Sequence, residues 1–259
     1  MGRTEQSGGH GRSNGGVQSV ERSFEVLELL ADAGGEVGLS ELAETSGLPL
    51  PTIHRIMRTL VAGGYARQQP SRRYALGPRL IRLGETAGRA LGAWARPYLA
   101  GLTEAVGETA NMAILDGDQI VYVAQVPSPH PMRMFTEVGR RVDLYCTAVG
   151  KAVLAQLPEQ RVTALLAHGE LRAKTEHTIT DLALLHRELA ATRERGYAID
   201  DGEQEIGVRC LAVVVPGAPT GTALSISGPE FRMSRLIESD VVPLMRSAAA
   251  KLAAQLTVD

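Results

Sequence analysis

A helix that has to stop at Ser46-Gly47, and another that has to start by Pro51, fix the local topology of this chain more tightly than any other segment. The first reads Leu39-Ser40-Glu41-Leu42-Ala43-Glu44, with Ser40 as the expected N-cap and Leu39 before it as a hydrophobic staple. Gly47 can supply the left-handed backbone of a C-terminal cap. Pro51 suits the first turn of the next helix, because an N–H there has no intrahelical partner in any case. Ile53, Ile56, Met57 and Leu60 recur at i, i+3, i+4 and i+7 and predict one buried face. Thr52, His54, Arg55, Arg58 and Thr59 are left on the other. Gly63-Gly64 end this helix, and Tyr65–Arg67 and Arg73–Leu76 predict two short strands around Gln69-Pro70-Ser71-Arg72. Helix, tight turn, helix and hairpin in this order make a winged helix-turn-helix.

The run from Thr45 to Gly84 holds seven arginines and no Asp or Glu, although the 259-residue chain has a formal net charge of −2. A cationic zone inside a near-neutral protein predicts a polyanionic partner for that zone, and on this scaffold the partner is double-stranded DNA. Charged helix residues are most often a solvated face and nothing more. Here they stand on the second helix of a helix-turn-helix, so Pro51, Thr52, His54, Arg55, Arg58 and Thr59 are expected to face a major groove. Arg67, Arg72 and Arg73 on the hairpin are expected to reach phosphates or the neighbouring minor groove. Arg79 and Arg82 belong with the connecting helix.

The rest of the chain reads as a second domain. Residues 1–16 are rich in Gly and Ser and are expected to be a disordered tail. A DNA-binding domain over 17–77 and a linker helix over 78–94 follow, and then an α+β domain with an antiparallel sheet over 95–259. In the first helix, opened by Ser19 and ended by Gly34-Gly35, Val20, Phe24, Leu27 and Ala31 are expected to share one face. Strands are expected at Thr109–Leu115 and Gln119–Val126, joined at Asp116-Gly117-Asp118, and again at Val208–Val215 and Thr222–Ser227. Helices are expected at Leu99–Val106, Gly150–Gln156, Glu159–Leu166 and Asp181–Arg195, the last capped by Gly196. A C-terminal helix carries Val241, Met245, Ala248 and Leu252 on one face.

Several function classes drop out. Apolar runs such as Leu211–Val215 are far too short to cross a bilayer, and two widely separated cysteines suit a reducing cytoplasm. The string TAVGKA is no phosphate loop, because Tyr145 stands where its first Gly belongs and Ala152 where Ser or Thr is needed. Cys146, His168, His177 and Cys210 lack ligand spacing, so neither a metal nor another cofactor is expected. As a nucleophile Cys210 would need a histidine from among His168, His177 and His186. Ser225 and Ser227 lie in ALSISG, which is not a G-x-S-x-G elbow. A strand cysteine of this kind is most often core filler.

Taken in order, the strings VQSVERSFEVLELL, LSELAETSGLPLPTIHRIMRTLVAGGY, RRYALGPRL, TAVGKAVLAQLP, TITD, RERGYAIDDGEQEIGVRCLAVVV and ALSISGP resemble the IclR family of bacterial transcription regulators from Val17 to the C-terminus. The resemblance implies a winged helix-turn-helix joined by a helix to a GAF-like domain that binds a small metabolite. It implies homodimers, often paired into tetramers, and most often repressors. It assigns the effector pocket to Met134, the backbone amides of Ala148 and Val149, Asp200, Cys210, Ser225 and Ser227. The chain departs from the family pattern at Cys146, where many members have His, and in a shorter loop at Pro216–Gly221.

The residue chemistry of that set points to a carboxylate. Ser225 and Ser227 are two apart on a strand, share a face and can both donate to one bound anion. Amides beside a helix start add a favourable dipole. Asp200 opposes a plain anion unless it is protonated or accepts from a ligand hydroxyl or amine, which favours a small hydroxy- or oxo-acid or a ureide-type acid. The resemblance, through family pockets with the same Asp, Cys and two Ser, implies glyoxylate or an allantoin-pathway acid as the effector. The expected protein is not an enzyme but a repressor of a catabolic operon released by it. An activator of an aromatic-acid degradation operon, or a DNA-tethered enzyme using Cys210, are the alternatives.

Overall fold

The structure, a computed structural model, describes residues 16–134, 136–167, 170–218, 220–239 and 241–256. The expected tail lies outside these residues except for Gly16, and His168 lies outside them too. The chain divides into two compact units, one ending at Thr86 and one beginning at Ala87.

The first unit comprises α1 (Gln18–Asp32), α2 (Leu39–Ser46), α3 (Leu50–Ala62), the hairpin strands β1 (Ala66–Gln68) and β2 (Tyr74–Leu76), and the start of α4 (Arg79–Leu91). Its core is Val26, Leu30, Leu42, Ile53, Met57 and their neighbours, so the expected inner face of α3 is buried. Gly47 adopts φ +66°, the left-handed cap that turns the chain between α2 and α3. One sequence expectation is corrected. Helix α2 starts at Leu39 with Gly38 as N-cap, and Glu41, not Ser40, caps it by accepting from the Gly38 N–H at 3.0 Å. Helix α1 buries Val26 and Leu30, whereas Val20 and Phe24 are exposed. Its sequence carries two apolar stripes, and α2 and α3 cover only one.

The second unit begins with a 3-10 turn at Ala93–Ala95 and α5 (Arg96–Val106), followed by β3 (Thr109–Asp116), β4 (Gln119–Val126) and β5 (Arg141–Val142). Helices α6 (Ala148–Leu154), α7 (Glu159–Leu166) and α8 (Leu182–Arg195) precede β6 (Ala198–Asp201), β7 (Val208–Val214) and β8 (Thr222–Pro229), and α9 (Glu230–Glu238) and α10 (Val242–Leu256) end the unit. The strands form one antiparallel sheet in the order β5-β4-β3-β8-β7-β6. The fold is α+β.

Both faces of the sheet are covered. Met112, Val123, Leu211, Val213, Leu224 and Ile226 pack with α5 and α10, where Met245 and Leu252 are fully buried. On the other face Ala113, Ala198, Ala212 and Ala223 pack with α6, α7 and α8. Small residues there let α6 approach closely, and Gly150 is demanded by the loop that leads into α6, since a Cβ on it would stand 2.2 Å from the Leu144 carbonyl oxygen. Helix α8 is capped at one end by Asp181, which accepts from the Leu184 N–H at 2.8 Å, and at the other by Gly196 at φ +74°. The short strand β5 and helix α9 were not legible in the sequence.

Candidate functional site

On α3 the residues outside the core form one polar, basic face. Pro51, His54, Arg55, Arg58 and Thr59 are exposed and Thr52 is half-buried. The Thr59 hydroxyl bonds back to the Arg55 carbonyl at 3.1 Å. Ile53, Ile56, Met57 and Leu60 anchor the opposite face, so the helix is held by its core and free along its arginines.

The hairpin is held more firmly than its sequence suggested. Val37 and Tyr74 exchange two backbone hydrogen bonds of 2.8 Å, which adds a third extended segment beside β2. Arg73 donates to the Glu36 carbonyl from Nε and Nη2 at 3.1 and 2.8 Å and to the Glu41 carboxylate from Nη1 and Nη2 at 3.2 and 2.8 Å. The Gly38 amide and this guanidinium together hold Glu41 below the usual carboxylate range. Arg73 thus ties the wing to the start of α2, with its side chain still 42% exposed. Arg67 and Arg72 remain exposed. Arg79, the first residue of α4, lies over the Tyr65 ring at 5.0 Å and donates to the Gly63 carbonyl at 3.0 Å, which ties the start of that helix to the turn after α3.

Arg72 sits at φ +64°, a region that costs a non-glycine residue about 1 kcal/mol or more. Arg72→Gly should therefore leave the melting temperature unchanged or raise it, and if Arg72 meets a phosphate the same change should weaken DNA binding. Thermal denaturation and a salt titration of DNA affinity check this; an unchanged salt slope removes Arg72 from the interface.

In the second unit, strand register brings together the polar residues of the α6-facing side. Asp200 is opposite Cys210, Cys210 is opposite Ser227, and Ser227 is opposite Thr109. In the next row Ala212 faces Ser225, Ser225 faces Asn111, and Asn111 faces Gln125. Asp200, Ser225 and Ser227 are buried and Cys210 is half-buried. Ala148 and Val149 are the first two residues of α6 rather than lying before it, and their neighbour Gly150 donates to the capping Thr147 hydroxyl at 3.2 Å. First-turn amides such as these have no partner within their own helix. Met134 joins the same neighbourhood through its carbonyl, which accepts from the Thr109 hydroxyl at 3.1 Å.

The electrostatics of the cluster follow from its burial. Desolvation is the largest influence on Asp200 and carries its carboxyl up to about 7, against two backbone N–H groups, Glu203 at 2.8 Å and Gln204 at 3.4 Å, which favour the charged form. Burial and then the Asp200 charge push the Cys210 thiol up. Burial and then Asp143 push Cys146 up to about 12. Neither sulfur is a ready thiolate, which is the form a nucleophile requires.

Four further residues, Asn111, Gln125, Gln204 and Lys151, escaped the sequence reading. Asn111 is wholly buried and touches both serines, and Gln125 touches Asn111. Cys146 donates to the Gln204 amide oxygen at 3.0 Å. Lys151, with its side chain 1% exposed, pairs with buried Glu203 and stands 3.9 Å from Glu188. A polar residue inside an otherwise apolar strand (TANMAIL) or an apolar helix (TAVGKAVL) was the available signal in two of these cases.

Residues 19–70 match the IclR helix-turn-helix domain, and residues 86–254, well over half of the chain, match the family model described as bacterial transcriptional regulator IclR C-terminal. The transcriptional repressor IclR of Escherichia coli (strain K12) is 38% identical over 229 residues, which are 86% of this chain and 84% of that protein. The acetate operon repressor of Salmonella typhimurium is 37% identical over 251 residues, covering 94% and 90%. The crystal structure of the Thermotoga maritima IclR superposes with a TM-score of 0.70 at 30% identity, covering 92% of this chain and 98% of that one.

Proposed function

We infer that this chain, which belongs to the IclR family of bacterial DNA-binding transcriptional regulators, represses a catabolic operon and releases it when a small carboxylate enters the C-terminal unit. The observation that carries this reading is one chain joining an exposed basic face on α3 to a buried cluster of hydrogen-bond donors in a separate unit. Relatives named as repressors support repression over activation. The relatives are regulators and not enzymes. Residues 17–77 form the DNA-binding domain, 78–94 the linker and 95–259 the effector domain.

His54, Arg55 and Arg58, with Pro51, Thr52 and Thr59 beside them, face the major groove, and Arg67 and Arg72 reach the backbone from the wing. Arg55 and Arg58 can each read a guanine edge with two hydrogen bonds. The effector carboxylate lies against the Ser225 and Ser227 hydroxyls and the first amides of α6, with Asp200 protonated toward it and Cys210 and Met134 at its side. Glyoxylate or an allantoin-pathway acid is the effector this chemistry fits best.

The active form is a homodimer, which can pair into a tetramer. Support comes from apolar surface that the first unit leaves uncovered: Val20 and Phe24 on α1 are 47% and 62% exposed, and Ile81 and Leu83 on α4 are 64% and 44% exposed. Two recognition helices then meet successive major grooves of a near-palindromic operator, and the effector changes operator affinity through linkage between the two sites.

Arg55→Ala combined with Arg58→Ala should weaken binding to the promoter upstream of the gene itself or of a neighbouring operon by roughly tenfold or more, with thermal stability unchanged. Mobility-shift titrations measure this directly. Undiminished affinity in the double variant would remove α3 as the reading face.

A further inference from the structure

Asn111 sits in the middle of β3 with its side chain wholly buried on the α6-facing side of the sheet. Its amide has a defined direction. Gln125 donates from Nε2 to Asn111 Oδ1 at 3.1 Å, which turns Asn111 Nδ2 toward β8. There it donates to the Ser225 hydroxyl at 3.4 Å and to the Ser227 hydroxyl at 3.5 Å. The amide has two N–H groups to offer, and both serine hydroxyls lie within reach of the one nitrogen that carries them.

A serine hydroxyl that already accepts through a lone pair keeps its own proton to give away. The chain Gln125 to Asn111 to Ser225 and Ser227 therefore runs in one direction and ends in two O–H donors on one strand face. Beside them stands Cys210, directly opposite Ser227 and influenced by its hydroxyl. Such a surface complements a group with two acceptor oxygens. A carboxamide in the same place would set its N–H groups against hydroxyls whose lone pairs are partly engaged.

We propose that Asn111, oriented by Gln125, is the residue that makes the effector site select a carboxylate, by fixing Ser225 and Ser227 as donors toward the ligand. This rests on the reading that a small carboxylate occupies that site. Asn111 acts through the serines and is a positioning residue. Asn111→Asp keeps the shape but exchanges the amide nitrogen for a second acceptor oxygen. The serine protons then turn toward the new carboxylate, and lone pairs plus a negative charge face the ligand.

The test is calorimetric titration of the full-length protein with glyoxylate, with glycolate and with glycolamide, the last two differing only in the carboxylate. The wild type should hold glycolate roughly tenfold or more tighter than glycolamide, since each mismatched donor leaves a buried group unpaired. In Asn111→Asp the acids should weaken by roughly thirtyfold or more while glycolamide changes by no more than about threefold. A purely structural defect would weaken acid and amide alike, and that result overturns the proposal while the carboxylate reading stands. If Asn111→Asp does not fold, Gln125→Ala frees the Asn111 amide to rotate and should produce a smaller loss of the same acid selectivity; retained selectivity there overturns the proposal equally. A wild type that takes up none of the three, or glycolamide as tightly as glycolate, removes the carboxylate reading and this proposal with it.

Discussion

Replacing Lys151 with methionine is expected to destabilise the second unit by about 3–5 kcal/mol near neutral pH, the range for removing one partner of a buried ion pair. Lys151 is 1% exposed on α6 and Glu203 6% exposed just after β6, and their head groups are in direct contact. The Glu203 Oε2 atom is buried with no hydrogen-bond partner. Burial already raises the Glu203 carboxyl, and the Lys151 charge is the chief influence holding it down. Without Lys151, Glu203 must be buried as a lone anion or take up a proton. An acid whose folded pKa lies above its unfolded value binds more protons when folded, so stability is lost as pH rises through that range. The deficit of Lys151→Met should accordingly be largest on the alkaline side and shrink toward acid pH. Adding Glu203→Leu removes the orphaned charge and should restore most of the stability. Urea denaturation of the wild type and the two variants across pH decides the matter. A single variant as stable as the wild type at pH 8 would mean that Glu203 finds another partner.

That ion pair illustrates where the sequence was readable and where it was not. Features with a local cause were legible. Pro51, Gly47 and the 3.6-residue spacing of Ile53, Ile56, Met57 and Leu60 specify α3 without reference to anything distant. Asp181, Gly196 and the Asp116-Gly117-Asp118 turn act in the same local way. The ordered motif set carried the family, and the chain belongs to it. Features decided by a distant partner were not legible. Which apolar stripe of α1 is buried depends on α2 and α3, which cover Val26 and Leu30 and leave Val20 and Phe24 exposed. Arg73 looked like its neighbour Arg72 until Glu36 and Glu41, more than thirty residues away, were seen to hold it. Asn111 meets Ser225 and Ser227 across the sheet at separations of 114 and 116 residues, which no spacing rule in one strand reports. A polar side chain in an apolar strand signals that such a partner exists, but only strand order says which one.

Asp200→Asn should make the ligand-free protein more stable than the wild type at pH 8 by as much as ~4 kcal/mol, the full equivalent of a carboxyl carried from 3.8 to about 7. In the wild type the folded state keeps a proton between about pH 4 and 7 that the unfolded chain releases, so this group's contribution falls with rising pH across that window and is flat above it. Asparagine stays neutral throughout and keeps an oxygen for the Glu203 and Gln204 N–H groups. The two proteins should therefore converge near pH 4 and diverge as pH rises. The same titration governs ligand binding under the proposed function. A protonated Asp200 donates to a carboxylate, and an ionised one repels it, so wild-type affinity for glyoxylate should fall as pH rises past about 7. Asparagine offers a donor at every pH, and its affinity should be level over the same range. Neighbouring Glu203 and Lys151 bear on the same carboxyl, so the slopes must be compared at matched ionic strength. Should the asparagine variant keep the wild-type pH dependence in both stability and binding, the titrating group is not Asp200 and its place against the effector falls.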